Sequence, residues 1–300
     1  VVAILGPMLA AESKAAAEEA DKLGVPLIAL TPRHDITRVG KMTFRMFTTA
    51  RHEAWALASY ALVVERRERI AVVHSDTAYG RAVAKLFAEV LQIDRVGAPG
   101  KKPVAVLSFA LGATDHRALA RDLKVGQVDA IFFPDAPKDI APILSFLAKE
   151  RLPLAASLKP KSRVRPLLLM GGNSWQTPDL VVLGGDLVEG AVVAAPFVPG
   201  VSGSFAERFK SRWGAEPTYV EAFAFHAYRL LHWAIHRKNA KSAGAIHEAL
   251  LSKERDMPEG IAGRTACVAM GEPRDLYCPA VLLKVMSGEL KPLAAPPIAP

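Results

Sequence analysis

An α/β fold, with parallel sheets covered by helices on both faces, is predicted by three features of these 300 residues. Short β-branched runs alternate with helical-period stretches of about ten residues for most of the length, which is the rhythm of βαβ units. That rhythm stops at a long helical stretch and then restarts, so two series of units are read. Finally, 51% of the residues are hydrophobic and 23% charged, enough apolar material for two cores and no disorder signature.

Taken in order, Val1–Leu5 reads as a strand and Ser13–Leu23 as an Ala-rich amphipathic helix stopped by Gly24. Pro26–Thr31 is the next strand, and a long helix spans His52 to Glu65. In the second series Arg69–His74, Pro103–Phe109, Ala130–Pro134 and Leu167–Met170 are strands. Gly80–Leu91, Asp115–Lys124 and Ile140–Glu150 are the helices between them, and Gly190–Pro196 closes the series. Ser204–Arg237 is helical with breaks at Gly214 and Pro217, and Ala243–Ser252 is a further helix. Gly263–Ala269 and Leu276–Met286 read as a hairpin joined through Gly271–Asp275, with a Pro- and Ala-rich tail behind it.

Lys and Arg exceed Asp and Glu by eight, but the basic residues are scattered. The densest cluster, Lys159, Lys161, Arg163 and Arg165, lies in a Pro-containing linker without interleaved aromatics, so no nucleic-acid partner is expected. No apolar run approaches the roughly 18 residues that cross a bilayer, so no transmembrane segment is expected. The two cysteines, Cys267 and Cys278, sit on opposite arms of the C-terminal hairpin. A disulfide between them, implying an oxidising compartment such as a periplasm, and two buried free thiols both stay open.

The signatures of chemistry are missing. No nucleophile elbow, phosphate loop or dinucleotide fingerprint is present, and Gly200–Ser204 departs from the elbow by carrying Ser204 where Gly is required. His232 and His236 are one helical turn apart without a third ligand, which favours an exposed helix face over a metal site. An α/β chain of this kind points to a binding protein, not an enzyme, with no cofactor and no metal.

The order of several short segments resembles the type I periplasmic binding proteins, the group of the branched-chain amino-acid receptors. These are Ile4–Pro7, Gly24–Thr31, Phe44–Thr48, Asp76–Gly80, Gly112–Asp115, Glu189–Ala191 and Tyr219–Phe223. Thr31–Ile36, Ile131–Pro137, Gly172–Trp175, Glu216–Pro217 and Gly263–Thr265 are similar to segments of the subfamily of penicillin-binding-protein activators and extracellular ligand-binding receptors. The resemblance implies two Rossmann-like lobes joined by three crossings and closing on a ligand. Lobe 1 would hold 1–66 and 199–255, lobe 2 would hold 67–198 and 256–290, and 291–300 would be a tail. The family normally carries a strand–helix unit and a further strand before the equivalent of Val1, so lobe 1 is expected to lack that part here.

Ligands of open α/β sheets bind beyond the carboxyl ends of the strands. The expected first-lobe loops are therefore Met8, Leu9, Ala10 and Ala11, then Arg33, His34 and Asp35. Tyr79, Asp135, Ala136, Asn173, Ser174 and Trp175 are expected from the second lobe. The resemblance implies a carboxylate held by hydroxyls in lobe 1 and an ammonium held by an acid in lobe 2. Here Ala10, Ala11, Asp35 and Asn173 stand near those positions, so an ordinary leucine clamp is not expected. Arg33 and His34 would suit an anionic group, or Arg33 would pair with Asp35 instead. Trp175 would stack on a ring or sugar face, or pack inside its lobe. Tyr79 would line the cleft or cap the following helix. Asp135 would accept a ligand donor or cap the helix after Pro137.

The function expected is that of a periplasmic solute-binding receptor taking a small polar or anionic ligand for an ABC-type uptake or sensing system, with an ABC transporter membrane complex as partner. The alternative is an envelope lipoprotein regulator that binds a cell-wall synthase, a penicillin-binding protein. A lipid anchor would come from a segment outside this chain.

Overall fold

A computed structural model of the chain describes residues 1–33, 35–95, 97–159, 162–201, 204–252, 274–276 and 280–293. Ile4–Leu5 forms β1, Ala10–Leu23 α1, Leu27–Ala29 β2, Ile36–Val39 α2 and Thr43–Arg45 β3. Helix α3 (Ala50–Ser59) continues into a π-helical turn, Tyr60–Val64, before β4 (Ile70–Ser75). Then come α4 (Ala78–Leu91), β5 (Ala105–Phe109), α5 (Arg117–Val125), β6 (Ala130–Phe133) and α6 (Pro137–Lys149). They are followed by β7 (Leu168–Gly171), α7 (Asp179–Gly184) and β8 (Val192–Ala195). Helices α8 (Ser204–Trp213), α9 (Tyr219–His236) and α10 (Ala243–Leu251) precede β9 (Val281–Met286) and β10 (Glu289–Pro292).

Two compact units result, residues 1–49 with 196–280 and residues 50–195 with 281–300. In the first, β1, β2 and β3 form a parallel sheet in that order. Alternation along β2 divides the core. Ile28 joins Phe44 and Met46 beneath Phe223, Ala227, Leu230 and Trp233 of α9, while Leu27 and Ala29 meet Ala17 and Ala20 of α1 with Ile36 of α2. A capping box, Thr218 with Glu221, starts α9. Gly24, at φ 63°, ends α1 in the left-handed conformation that glycine alone adopts without cost.

In the second unit the sheet order is β10-β9-β8-β7-β6-β4-β5. Strands β8, β7, β6, β4 and β5 are mutually parallel, and β9 and β10 are antiparallel additions. Every residue of β4, β6, β7 and β8 is buried, the continuous apolar pattern of strands covered on both faces. Edge strand β5 instead alternates between shielded and exposed positions. Strand β4 lies between β5 and β6, so the connections leaving β4 and β5 run in opposite directions across the sheet. This is the topological switch point, where the carboxyl ends of two adjacent strands open a crevice.

Four details differ from the sequence reading. Helix α1 begins at Ala10, not Ser13, because two alanines favour the helix and the buried Ser13 Oγ donates back to Leu9 O at 2.8 Å. Ala10 and Ala11 are therefore the first turn of a helix and not a loop. Strand β3 and helix α2 were too short to show a period. Helix α3 packs on α4 and β8 within the second unit, which begins at Ala50, where the sequence placed residues up to 66 in the first lobe.

At the C-terminus, Val281–Met286 pairs with β8 and with Glu289–Pro292. Part of the expected tail is thus a strand. Ser287 and Gly288 turn the chain with φ of 56° and 73°, the two-residue geometry of a tight hairpin. Pro292 is tolerated because β10 is an edge. Gly263–Ala269, Cys267 and Cys278 lie outside the described residues.

Candidate functional site: the carboxyl edges of the two units

The second unit gathers its polar groups at the β4–β6 switch point. Asp135, just after β6, is buried, and both of its carboxylate oxygens are engaged by Ser75 at the end of β4. The Ser75 N–H donates to Oδ2 at 2.7 Å and the Ser75 hydroxyl to Oδ1 at 2.5 Å. Asp135 therefore does not cap α6, whose N-cap is Ala136 without a side-chain hydrogen bond. It ties the two strand ends together across the crevice. Thr77 is the true cap of α4, accepting from the Gly80 N–H at 2.9 Å. Gly80 is required by the same close packing, since a Cβ there would stand 2.4 Å from Ser75 O. Tyr79 is exposed in the first turn of α4, so it lines the edge without capping it.

Trp175 occupies the floor. Its side chain is fully buried, stacks on Phe133 with centroids 6.0 Å apart, and donates Nε1–H to Asp135 O at 2.8 Å. A Cβ on Gly171 would lie 2.0 Å from the indole, so the glycine and the ring are fitted to one another. The ring leaves no face for a ligand, and of the two roles expected for Trp175 it has the packing one. Asn173 is exposed, and Ser174 and Ala136 of the β6 loop are half-buried.

Glu53 of α3 is the buried acid at this edge that sequence reasoning missed. It is buried beside this edge, and its Oε2 accepts the Asn173 N–H at 3.1 Å. Gly172 makes room for it, since a Cβ there would approach Oε2 to 2.6 Å. Burial pushes the Glu53 carboxyl up to about 7, against a smaller downward pull from the Asn173 N–H. The Tyr79 hydroxyl is also raised, first by partial burial and then by the negative charges of Glu53 and Asp135. The helical period carried the signal for Glu53: it lies four residues before buried Leu57 and eight before buried Ala61, on the inward stripe of α3.

The first unit presents a plainer edge. Met8 is half-buried, and Leu9, Ala10 and Ala11 are exposed at the start of α1, where Leu9 provides no side-chain cap. After β2, Arg33 pairs with Asp35 through two contacts, Nε to Oδ1 at 2.6 Å and Nη2 to Oδ2 at 2.8 Å. The surface pairing therefore takes up its charge. Beneath it a buried pair joins Arg45 of β3 to Asp275, with Nε to Oδ1 at 3.0 Å, and Arg45 Nη1 donates to Arg33 O at 2.9 Å. His34 lies outside the described residues.

Among the described residues no group of three or more His, Cys, Asp or Glu could hold a metal ion. None of their helices is long and apolar enough to cross a membrane. His232 and His236 stand with ring centroids 4.3 Å apart on an exposed face of α9.

Two α/β units, with polar groups at the carboxyl ends of parallel strands, define the architecture of a type I ligand-binding fold. A family model for periplasmic binding proteins matches residues 1–271, and the chain belongs to that family. Its fold is similar to that of a chain from Rhodospirillum rubrum assigned to a branched-chain amino acid ABC transporter. That match has 23% identity and a TM-score of 0.79, covering 98% of this chain and 80% of that one. An ABC transporter substrate-binding protein from Desulfitobacterium hafniense in complex with Leu is similar at 22% identity and a TM-score of 0.67, covering 98% and 80%. A solute-binding protein of an ABC transporter from Rhodopseudomonas palustris, in complex with 3,4-dihydroxybenzoic acid, matches at 18% identity and 0.60, covering 97% and 76%. No curated protein sequence matches the chain significantly.

Proposed function

We propose that this protein is a periplasmic solute-binding receptor that captures a small polar ligand by closure of its lobes, delivering it to an ABC-type membrane complex for uptake or sensing. The observation that carries the reading is the switch-point edge of the second unit. There Glu53, Tyr79, Asn173 and Ser174 stand around a strand-end latch made by Ser75 and Asp135. In the first unit, Met8–Ala11, Arg33 and Asp35 remain the candidate ligand-binding residues at the strand ends. An anionic ligand was expected on the strength of Arg33, and its pairing with Asp35 weakens that part. Two of the solved structures named above hold Leu and 3,4-dihydroxybenzoic acid, which sets the size class to test.

A thermal-shift screen against amino acids, amines, aromatic acids, small dicarboxylates and cell-wall fragments tests the reading. A ligand at about 100 times its dissociation constant stabilises by roughly 2.7 kcal/mol, enough to raise the melting temperature by several degrees. At least one small solute is expected to do so. A well-folded sample that shifts with no member of the panel would contradict the receptor reading and favour the synthase-binding alternative.

A further inference from the structure

We propose that the second unit holds a further small-ligand site, on the α4 face of its open sheet edge, that takes a small hydroxycarboxylate. The inference goes beyond the solute-binding reading above and concerns other residues. Alternation along β4 sends Ser75 toward Asp135 and its neighbour His74 to the opposite face, under α4. There a cavity of about 270 Å³ opens between α4 and strand β5. Ala84 and Ala88 are the small residues of the α4 stripe that crosses this edge, and β5 ends the sheet, so nothing bulky fills the space.

His74 and Ser108 stand side by side in the β4–β5 register, and both line the cavity. His74 is only 7% exposed, so an unsatisfied polar atom on it is costly. Its Nδ1 meets Ser75 O at 2.8 Å. A carbonyl only accepts, so Nδ1 carries the proton, and Nε2 of the neutral ring is left as an acceptor. Nε2 has no hydrogen bond among the described residues and is not sealed from solvent. The Ser108 hydroxyl has no partner among them either.

Charge at the rim is unbalanced. Arg81 and Lys85, four residues apart on α4, both border the cavity and repel one another. Asp76 neutralises Arg81. Lys85 forms no ion pair among the described residues, and Glu89, one turn further on, reaches Arg51 at 3.7 Å instead. One positive charge is therefore left over, beside a free hydroxyl and a buried acceptor. Val106, Ala84 and Ala88 make the rest of the lining apolar. A bare inorganic anion would satisfy Lys85 but bring no carbon to that lining, and a plain carboxylate would leave Nε2 without a donor. A small carboxylate that carries its own hydroxyl meets every group. Its carboxylate accepts from Lys85 Nζ and the Ser108 hydroxyl, its hydroxyl donates to His74 Nε2, and its carbon skeleton lies on Val106.

Titration of the isotopically labelled protein tests the site, read in the two-bond nitrogen–proton spectrum of the imidazoles and by isothermal titration. The probes are lactate and mandelate, then propionate and phenylacetate, which lack the hydroxyl, and lactamide, which lacks the charge. His74→Phe identifies the His74 signal by its loss. The expected result is a His74 signal of the Nε2-acceptor form that moves saturably with the two hydroxy acids. Propionate, phenylacetate and lactamide should bind at least about tenfold more weakly, and Lys85→Gln and Ser108→Ala should each weaken the hydroxy acids by about fivefold or more. Lys85 and Ser108 are exposed, so isothermal titration of these two variants decides the question even where His74→Phe does not fold. A His74 signal unmoved by both hydroxy acids, equal binding of the acids without a hydroxyl, or unchanged affinity in Lys85→Gln would overturn the site while leaving the receptor reading in place.

Discussion

Asp275→Ala is expected to destabilise the first unit by about 3–5 kcal/mol, because it strands the guanidinium of Arg45 in the interior. The two side chains are 6% and 3% exposed and meet through a forked pair that water does not reach. The same segment also completes the sheet edge: Arg45 N–H donates to Arg274 O at 2.9 Å and Leu276 N–H to Arg45 O at 2.7 Å. Guanidinium denaturation of Asp275→Ala measures the loss. Removing both charges, in Arg45→Met with Asp275→Leu, should recover most of it, since an apolar pair avoids the desolvation cost that a lone buried cation cannot. A loss below about 1 kcal/mol in the single variant would show that the pair is solvated, as surface bridges are.

Trp175→Ala is expected to cost the second unit about 3–5 kcal/mol, the range for emptying a buried aromatic site. The indole fills the space between Gly171 and Phe133, and its N–H satisfies the Asp135 carbonyl. Trp175→Phe keeps much of the volume but leaves that carbonyl unpaired, so its loss should fall nearer about 1–3 kcal/mol. Thermal unfolding of both variants checks the order. Equal losses would assign the whole effect to the hydrogen bond and contradict the packing argument. Because Trp175 supports the Asp135 loop directly, ligand affinity should fall with stability in the alanine variant.

The alternation of elements was legible because parallel strands buried on both faces must be written as unbroken apolar runs. Ile70–Val73 and Ile131–Phe133 are such runs, and both are core. Short elements lacked the length for a period. The three residues of β3 take their conformation from neighbours, and β10 depends on a Ser287–Gly288 turn followed by a proline that usually argues against a strand.

The strand-end rule directed the reading to the β4, β6 and β7 loops of the second unit, but left the roles of Trp175 and Asp135 open. Whether Trp175 shows its face or buries it is decided by Gly171 and Phe133, and whether Asp135 caps or latches is decided by Ser75. Ser75 and Glu53 lie 60 and 120 residues away from their partners Asp135 and Asn173. No local pattern announces such contacts. A single acid in a helix reads as solvated until its neighbours on the inward stripe are counted.

The central claim is that a small solute binds at the β4, β6 and β7 strand ends of the second unit. Amide hydrogen exchange, with and without the amino acid or aromatic acid that gives the largest thermal shift, tests it most directly. The expected result is slowed exchange in segments 75–79, 135–136 and 172–174. Saturating ligand that leaves those segments unchanged, while protecting another surface such as α9, would contradict it.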